Sequence, residues 1–157
     1  DNGKQIHEEI VSNGLLWKDP MLGNALVDMY AKCGMLAKAR QVLEELPNRD
    51  LVSWNALIAG HAQQREGHAA LKCFERMQSE GLSPDDITFV CILTACSHAG
   101  LLDEAQMLFD DMENVYCLKP TLEHYACMVE LLGFNRAGHF EKEMVFIEKV
   151  PPSYCLQ

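Results

Sequence analysis

A repeat of 31 to 38 residues is the sequence feature that most limits how this chain can fold. Four segments contain a residue followed four and seven positions later by apolar residues, and the first residue is small in three of them. These triads are Ala39/Leu43/Leu46, Ala70/Phe74/Met77, Ala105/Phe109/Met112 and Glu143/Ile147/Val150. Because positions i, i+4 and i+7 lie on one face of an α-helix, each triad predicts an amphipathic helix.

A second apolar element precedes each of these helices. Its apolar residues are Leu26/Met29/Tyr30, Leu57/Ile58, Ile92/Leu93 and Met128/Val129/Leu132. Equivalent positions in this element are separated by 31, 35 and 36 residues, whereas the triads are separated by 31, 35 and 38. The extra two residues in the last unit predict an insertion between its helices, at Phe134-Asn135. The equivalent positions are Asn24, Asn55, Val90 and Ala126.

Each unit is therefore predicted to be a pair of helices. Such a unit cannot bury its apolar faces alone, so neighbouring units stack and share one core. We predict an all-α fold: an α-solenoid of about nine helices in antiparallel pairs, forming a right-handed superhelix with the first helix of each pair on the concave side. The expected units are a half unit at 1–19 and complete units at 20–50, 51–85, 86–121 and 122–157.

Local signals predict where several helices begin and end. Asp19 followed by Pro20 supplies an N-cap and a first-turn proline. Glycines in the turns between paired helices are expected to adopt the left-handed conformation that ends a helix. These glycines are Gly34, Gly67, Gly100 and Gly138.

Composition excludes several classes of function. The chain has 13 Lys and Arg residues against 23 Asp and Glu, and its net charge of −10 argues against nucleic-acid binding that relies mainly on nonspecific attraction to phosphates. No apolar run approaches the roughly 18 residues of a spanning helix, so no membrane association is predicted. The seven cysteines form no CxxC pair, and we predict buried, reduced thiols and no metal site.

Three segments carry a more specific signal than the period alone. Residues 24–34 (NALVDMYAKCG), 52–58 (VSWNALI) and 94–100 (TACSHAG) closely resemble the plant pentatricopeptide repeat family. The alternating unit lengths are similar to those of its P-L-S subclass, whose full-length members specify organellar RNA sites, often for cytidine-to-uridine editing. The resemblance implies a half L-type unit at 1–19, then S-type, P-type, L-type and terminal S-like units. Residues 122–129 (LEHYACMV) resemble the last repeat before C-terminal extension domains, which implies a position near the end of the array.

The resemblance also implies which residues contact RNA. In the family, each repeat reads one base of a single strand through the fifth residue of its first helix and the last residue of the unit, while the second residue flanks the base. The implied reading pairs are Asn24 with Asp50 and Asn55 with Asp85. In the family such a pair favours a pyrimidine, uracil over cytosine, and Thr with Asp favours guanine. The implied base-flanking residues are Met21, Val52 and Ile87.

These residues also have a purely structural interpretation. Asp50 and Asp85 each precede a first helix, where an aspartate caps the free amides. A carboxylate beside an asparagine can in turn orient the amide, which offers both a donor and an acceptor to a base. Weaker candidates for RNA contact are Val90, Thr121, Ala126 and Lys32.

No complete deaminase, phosphate-binding or nucleophile–base motif occurs, so we predict no enzymatic activity, no catalytic residue and no cofactor. The resemblance implies a chloroplast or mitochondrial location, and RNA editing or processing proteins as partners. The alternative function is a tetratricopeptide-like scaffold for protein–protein interaction. Trp54 and Phe74 fit that pattern, whereas Ile58 and His61 replace its Gly and Tyr.

Overall fold

The computed structural model describes residues 2–134, 148, 150 and 151. Within them every regular element is a helix, which confirms the all-α prediction. The α-helices are α1 (Asn2–Ser12), α2 (Pro20–Lys32), α3 (Leu36–Glu45), α4 (Leu51–Gln63), α5 (Gly67–Ser79), α6 (Asp86–Ala99), α7 (Leu102–Asn114) and α8 (Leu122–Phe134), with a short 3₁₀-helix at Leu15–Trp17. The ninth predicted helix, the insertion at 134–135 and Gly138 lie wholly or partly outside the described residues.

The helices stack as a solenoid, as predicted. The first helices α2, α4, α6 and α8 form a row in which each packs extensively on the next. Within a pair, α2 packs on α3, α4 on α5 and α6 on α7, while α5 also contacts α6. The row of first helices is therefore one continuous layer, and equivalent positions of successive units lie side by side along it.

The three described triads form the core of the second helices. All nine of their residues are buried, and they pack against buried residues of the first-helix row. Trp54 and Phe89 lie fully inside this core, and the Phe89 ring makes edge contacts with Phe74 and Tyr116, with centroids 6.0 and 5.4 Å apart. Phe89 of α6 thus joins α5 to the connection that follows α7 through one aromatic side chain.

The predicted cap at Asp19 is confirmed, because its carboxylate accepts a 2.9 Å hydrogen bond from the Met21 amide and Pro20 begins α2. Gly34 and Gly100 have φ of +73°, as expected for helix-ending glycines. The prediction for Gly67 is wrong. Arg65 takes the left-handed conformation, with φ of +59°, and Gly67 begins α5.

Close packing explains the glycine at position 67. A Cβ there would lie 2.5 Å from the Ala99 Cβ and 2.8 Å from a Leu101 methyl, so only glycine lets α5 approach the end of α6. The prediction of buried thiols is correct for Cys73 and Cys96 but wrong for Cys33 and Cys117, which lie in exposed connections after α2 and α7. No helix in the described ranges is long and apolar enough to cross a membrane.

Candidate nucleic-acid interface

Asp50 is the N-cap residue of α4. Its Oδ1 accepts a 2.9 Å hydrogen bond from the Ser53 backbone N–H, and the Asp50 N–H donates to Ser53 Oγ at 3.2 Å. This reciprocal arrangement is a capping box, in which both partners satisfy amides that a helix start leaves free. The structural interpretation of Asp50 is therefore correct.

The same carboxylate also holds Asn24, which is 26 residues away in sequence. Asn24 Nδ2 donates to Asp50 Oδ2 at 2.9 Å and to Oδ1 at 3.2 Å. Because α2 and α4 lie side by side, the end of one unit reaches the fifth residue of its own first helix. Asp50 consequently caps α4 and orients the Asn24 amide at once.

The next junction repeats the arrangement with two differences, in the contact of the capping hydroxyl and in the distance of the asparagine. Asp85 caps α6, and its Oδ1 accepts hydrogen bonds from the Thr88 N–H at 2.8 Å and from Thr88 Oγ1 at 2.7 Å. Asn55 Nδ2 donates to this same oxygen at 3.5 Å, the outer limit of a hydrogen bond. Asn55 is therefore held more loosely than Asn24.

Asn55 is more deeply placed than its sequence position indicates. Its polar side chain beside the apolar stripe of α4 does not by itself require burial, yet only 8% of Asn55 is exposed. Its Oδ1 is buried and has no hydrogen-bond partner within the described structure. An unpaired buried acceptor costs free energy, which a donor from a ligand would recover if the side chain turned to expose this oxygen.

Hydrogen bonding lowers the pKa of both capping carboxylates. Burial by itself raises the pKa of Asp50, but hydrogen bonds from Ser53 and Asn24 outweigh burial and leave this pKa below its ordinary value. For Asp85 burial likewise raises the pKa, and hydrogen bonds from Thr88 and Asn55 lower it further than burial raises it. Each junction thus presents a charge-assisted acceptor to its asparagine.

These lowered pKa values predict an acid-sensitive contribution to stability. A carboxylate whose folded-state pKa is depressed stabilises the fold above the unfolded-state pKa of about 3.9 and loses that effect as the pH falls through the folded-state pKa. We expect an Asp50→Asn/Asp85→Asn variant, which retains capping side chains, to lose less stability than the wild type below about pH 4. Urea unfolding curves of both proteins from neutral to acidic pH measure this, and parallel losses would contradict it.

The three predicted base-flanking residues are large apolar side chains exposed on the first-helix row. Met21 is 78% exposed, Val52 62% and Ile87 63%. Each lies three residues before the fifth position of its unit, so it occupies the same helix face one turn away. The row therefore carries a repeated pattern of an exposed apolar residue and, at two units, a carboxylate-bound amide.

The weaker candidates do not form such a carboxylate-bound amide. Val90 is half-buried and Ala126 is exposed, but neither side chain can form a hydrogen bond. Lys32, the candidate phosphate contact, forms a 2.7 Å ion pair with Asp28 one turn earlier, so much of its charge is balanced within α2. Cys155, the partner position for Ala126, lies outside the described residues.

Thr121 forms hydrogen bonds with His124 and so has a structural role. The buried His124 Nδ1 accepts the Thr121 backbone N–H at 3.0 Å and lies 2.8 Å from Thr121 Oγ1. The ring proton therefore resides on Nε2, which donates to the Asp86 backbone carbonyl at 3.0 Å. This imidazole joins α6 to α8.

Ser53, Thr88 and His124 were not identified from the sequence, although each lies three residues after the last residue of a unit. That spacing is the signal of a capping box and makes Asp-x-x-Ser and Asp-x-x-Thr recognisable at the two junctions. Among the described residues no group of three or more His, Cys, Asp or Glu side chains is arranged to hold a metal ion.

Comparison with protein families gives a consistent match. A family model described as "PPR repeat family" matches residues 49–98, and one described as "PPR repeat" matches residues 24–51 and 87–117. Together these matches run from residue 24 to residue 117, which is more than half of the chain.

Similar proteins occur in Arabidopsis thaliana. One pentatricopeptide repeat-containing protein of this plant is 44% identical over 149 residues, which is 95% of this chain and 18% of the relative. Pentatricopeptide repeat-containing protein DOT4, chloroplastic, from the same plant, is 42% identical over 151 residues, 96% of this chain and 17% of DOT4. The chain thus spans less than a fifth of the length of these two relatives.

Solved structures share the fold. A crystal structure of the pentatricopeptide repeat protein PPR10 in complex with an 18-nt psaJ RNA element superposes with a TM-score of 0.69 at 22% identity, over 82% of this chain and 19% of PPR10. PPR10 from maize gives a TM-score of 0.67 at 29% identity, over 82% of this chain and 18% of that one. By its repeats, its relatives and its fold, the chain belongs to the pentatricopeptide repeat family.

Proposed function

We propose that this chain binds single-stranded RNA along its row of first helices. Each asparagine–aspartate pair on this row, with its exposed apolar neighbour, reads one base. The observation that carries the proposal is the recurrence, at two successive junctions, of an asparagine amide bound to a capping aspartate. One such contact is easily explained by helix capping alone. Two contacts in register, each one turn from an exposed apolar side chain, match the one-base-per-repeat logic of helical-repeat RNA readers.

The chemistry of the pair suits a pyrimidine. The aspartate takes one donor of the amide and leaves the amide oxygen as an acceptor for a base N–H, which the Watson–Crick edge of uracil supplies at N3. Asn55 Oδ1 lacks a partner but is buried, so the side chain must turn toward the strand before this oxygen can accept a base N–H. Met21 and Val52 supply the apolar surface against which a base face can pack.

We propose that only two units, 20–50 and 51–85, select a particular base. Asn24 with Asp50 and Asn55 with Asp85 are the proposed base readers, with uracil preferred over cytosine. The units that carry Val90 with Thr121 and Ala126 present no comparable hydrogen-bonding pair. We propose that these units contribute apolar contact along the strand, with Ile87 as one flanking surface.

The family context extends the proposal beyond this chain. PPR10 is described in complex with an RNA element, and DOT4 is described as chloroplastic. We propose that the chain is part of a non-enzymatic specificity factor for organellar RNA processing or editing. We further propose P-L-S repeats, with units at 20–50, 51–85, 86–121 and 122–157, close to the C-terminal end of the repeat array.

A titration of the 157-residue chain with a short uridine oligonucleotide tests the RNA-binding proposal. Two readers and a net charge of −10 predict weak binding that falls further with added salt, because few phosphates are neutralised. In ¹⁵N–¹H NMR spectra at low ionic strength, the side-chain amide signals of Asn24 and Asn55 should shift on addition of oligouridine. Oligoadenosine should shift them less.

Gln41 provides an internal control for this titration. It is an exposed amide on α3, the second helix of its unit, where its Nε2 donates to Glu45. Its signal should stay in place while the two asparagine signals move. Shifts confined to Gln41 and its neighbours, or nanomolar affinity for any single strand regardless of sequence, would show that base reading by these pairs is the wrong mechanism.

A further inference from the structure

The third residues of α4 and α6, Ser53 and Thr88, contact the two carboxylates of the proposed readers. Both side chains are fully buried, with no exposed surface. Neither can therefore touch a base or a phosphate. Any effect that these hydroxyls have on RNA binding must pass through Asp50 and Asp85.

The two hydroxyls make different contacts. Ser53 Oγ donates to the backbone carbonyl of Asp50 at 2.9 Å, and its contact with the carboxylate, although it helps to lower the Asp50 pKa, is weaker than that of Thr88 with Asp85. Thr88 Oγ1 donates to Asp85 Oδ1 at 2.7 Å, the oxygen that also accepts the Thr88 N–H. The backbone capping bonds are nearly equal at the two junctions, 2.9 and 2.8 Å, so the hydroxyl is the main difference in capping contacts.

The asparagine distances follow this difference. Asn24 lies 2.9 and 3.2 Å from the two oxygens of Asp50, whereas Asn55 lies 3.5 Å from the crowded oxygen of Asp85. An oxygen that already accepts two short hydrogen bonds is a poorer acceptor for a third, because its lone pairs and the space around them are limited. The hydroxyl of Thr88 thus competes with the Asn55 amide.

We propose that the third residue of each unit, Ser53 or Thr88, is a positioning residue that sets how tightly the preceding aspartate holds the base-reading asparagine. Serine competes with the asparagine for the carboxylate less strongly than threonine does. The effect on base choice rests on the proposed function, in which these asparagines read bases. A tightly held amide is preorganised for one pattern of base contacts, so it discriminates more sharply than a loosely held one.

A reciprocal exchange tests the proposal in the 157-residue chain. Thr88→Ser should strengthen the Asn55–Asp85 hydrogen bond and move the Asn55 side-chain amide protons downfield, while Ser53→Thr should weaken the Asn24–Asp50 bond and move the Asn24 protons upfield. General destabilisation would not produce opposite shifts. Thr88→Val keeps the side-chain shape but removes the hydroxyl, together with the 3.2 Å hydrogen bond that it accepts from the Asp85 N–H, and should move the Asn55 signal in the same direction as Thr88→Ser.

Base discrimination is measured with the whole chain carried in a longer repeat array of fixed specificity. Thr88→Ser should raise the preference for uracil over cytosine at the nucleotide of unit 51–85 by about two- to tenfold, the effect of one net hydrogen bond. Amide signals that do not move in either exchange would overturn the proposal. Signals that move while the preference of a discriminating wild-type unit stays constant would overturn its link to base choice.

The failure of the proposed function is a separate result. If the wild-type array shows no base preference at this nucleotide, Asn55 does not read a base. The amide signals then still decide whether Ser53 and Thr88 control the two asparagine–aspartate contacts.

Discussion

Replacing Phe89 with alanine is expected to lower the free energy of unfolding by about 3–5 kcal/mol, the usual cost of removing a buried phenylalanine side chain. Phe89 is fully buried in α6, and its ring contacts Phe74 of α5 and Tyr116 after α7. The substitution therefore opens a cavity where three elements meet and removes two aromatic contacts. Urea unfolding monitored by circular dichroism measures the loss.

Ile87 offers a matched control on the same helix. It lies two residues before Phe89 but is 63% exposed, so Ile87→Ala should change stability by no more than about 0.5 kcal/mol. The same substitution should weaken RNA binding if Ile87 flanks a base. Equal stability losses in the two variants would mean that α6 is oriented differently from the structure described here.

The fold was largely predictable because apolar residues recur in the sequence with the period of the repeat. The triads specify helix faces, and stacking of equivalent faces follows from the need to bury them. The burial of Ala39, Phe74 and Met112, and the cap at Asp19, depend on local spacing and so agree with prediction. Long-range helix pairing follows because units of similar length place equivalent residues side by side.

The errors arise where tertiary contact determines conformation. Gly67 looks like a helix-ending glycine, but its role depends on the approach of Ala99 and Leu101 from the next pair, which no local pattern reveals. Asn55 lies off the apolar stripe of α4, yet the neighbouring first helices in the row leave little of it exposed. Periodicity describes one helix face and does not include burial by adjacent units.

The candidate site was predictable in outline only. The resemblance implied which asparagines and aspartates pair, and the structure brings both pairs into contact, at 2.9 and 3.5 Å. Their base-reading role remains a proposal. In the sequence Ser53 and Thr88 offer the same capping group. Their different distances to the carboxylates, on which the proposed difference between the pairs rests, become visible only with side-chain geometry.

Replacing Asn55 with threonine is expected to change the base preference of unit 51–85 from uracil to guanine. Threonine removes the amide that contacts Asp85 and the unpaired Oδ1, while it keeps a small hydrogen-bonding group beside the carboxylate. In the family pattern, Thr with Asp favours guanine. The loss of discrimination for uracil should be about 1 kcal/mol or more, the scale of one good base contact.

The central claim, that an asparagine–aspartate pair reads one base, is tested most directly by measuring affinities for four RNA strands that differ only at the nucleotide of unit 51–85. The chain is carried in a longer array of fixed specificity, with and without Asn55→Thr, and circular dichroism verifies folding. The account predicts tightest binding to the uracil strand for the wild type and to the guanine strand for the variant. The same order of affinities for both folded proteins would contradict it and would make Asn55 a structural residue.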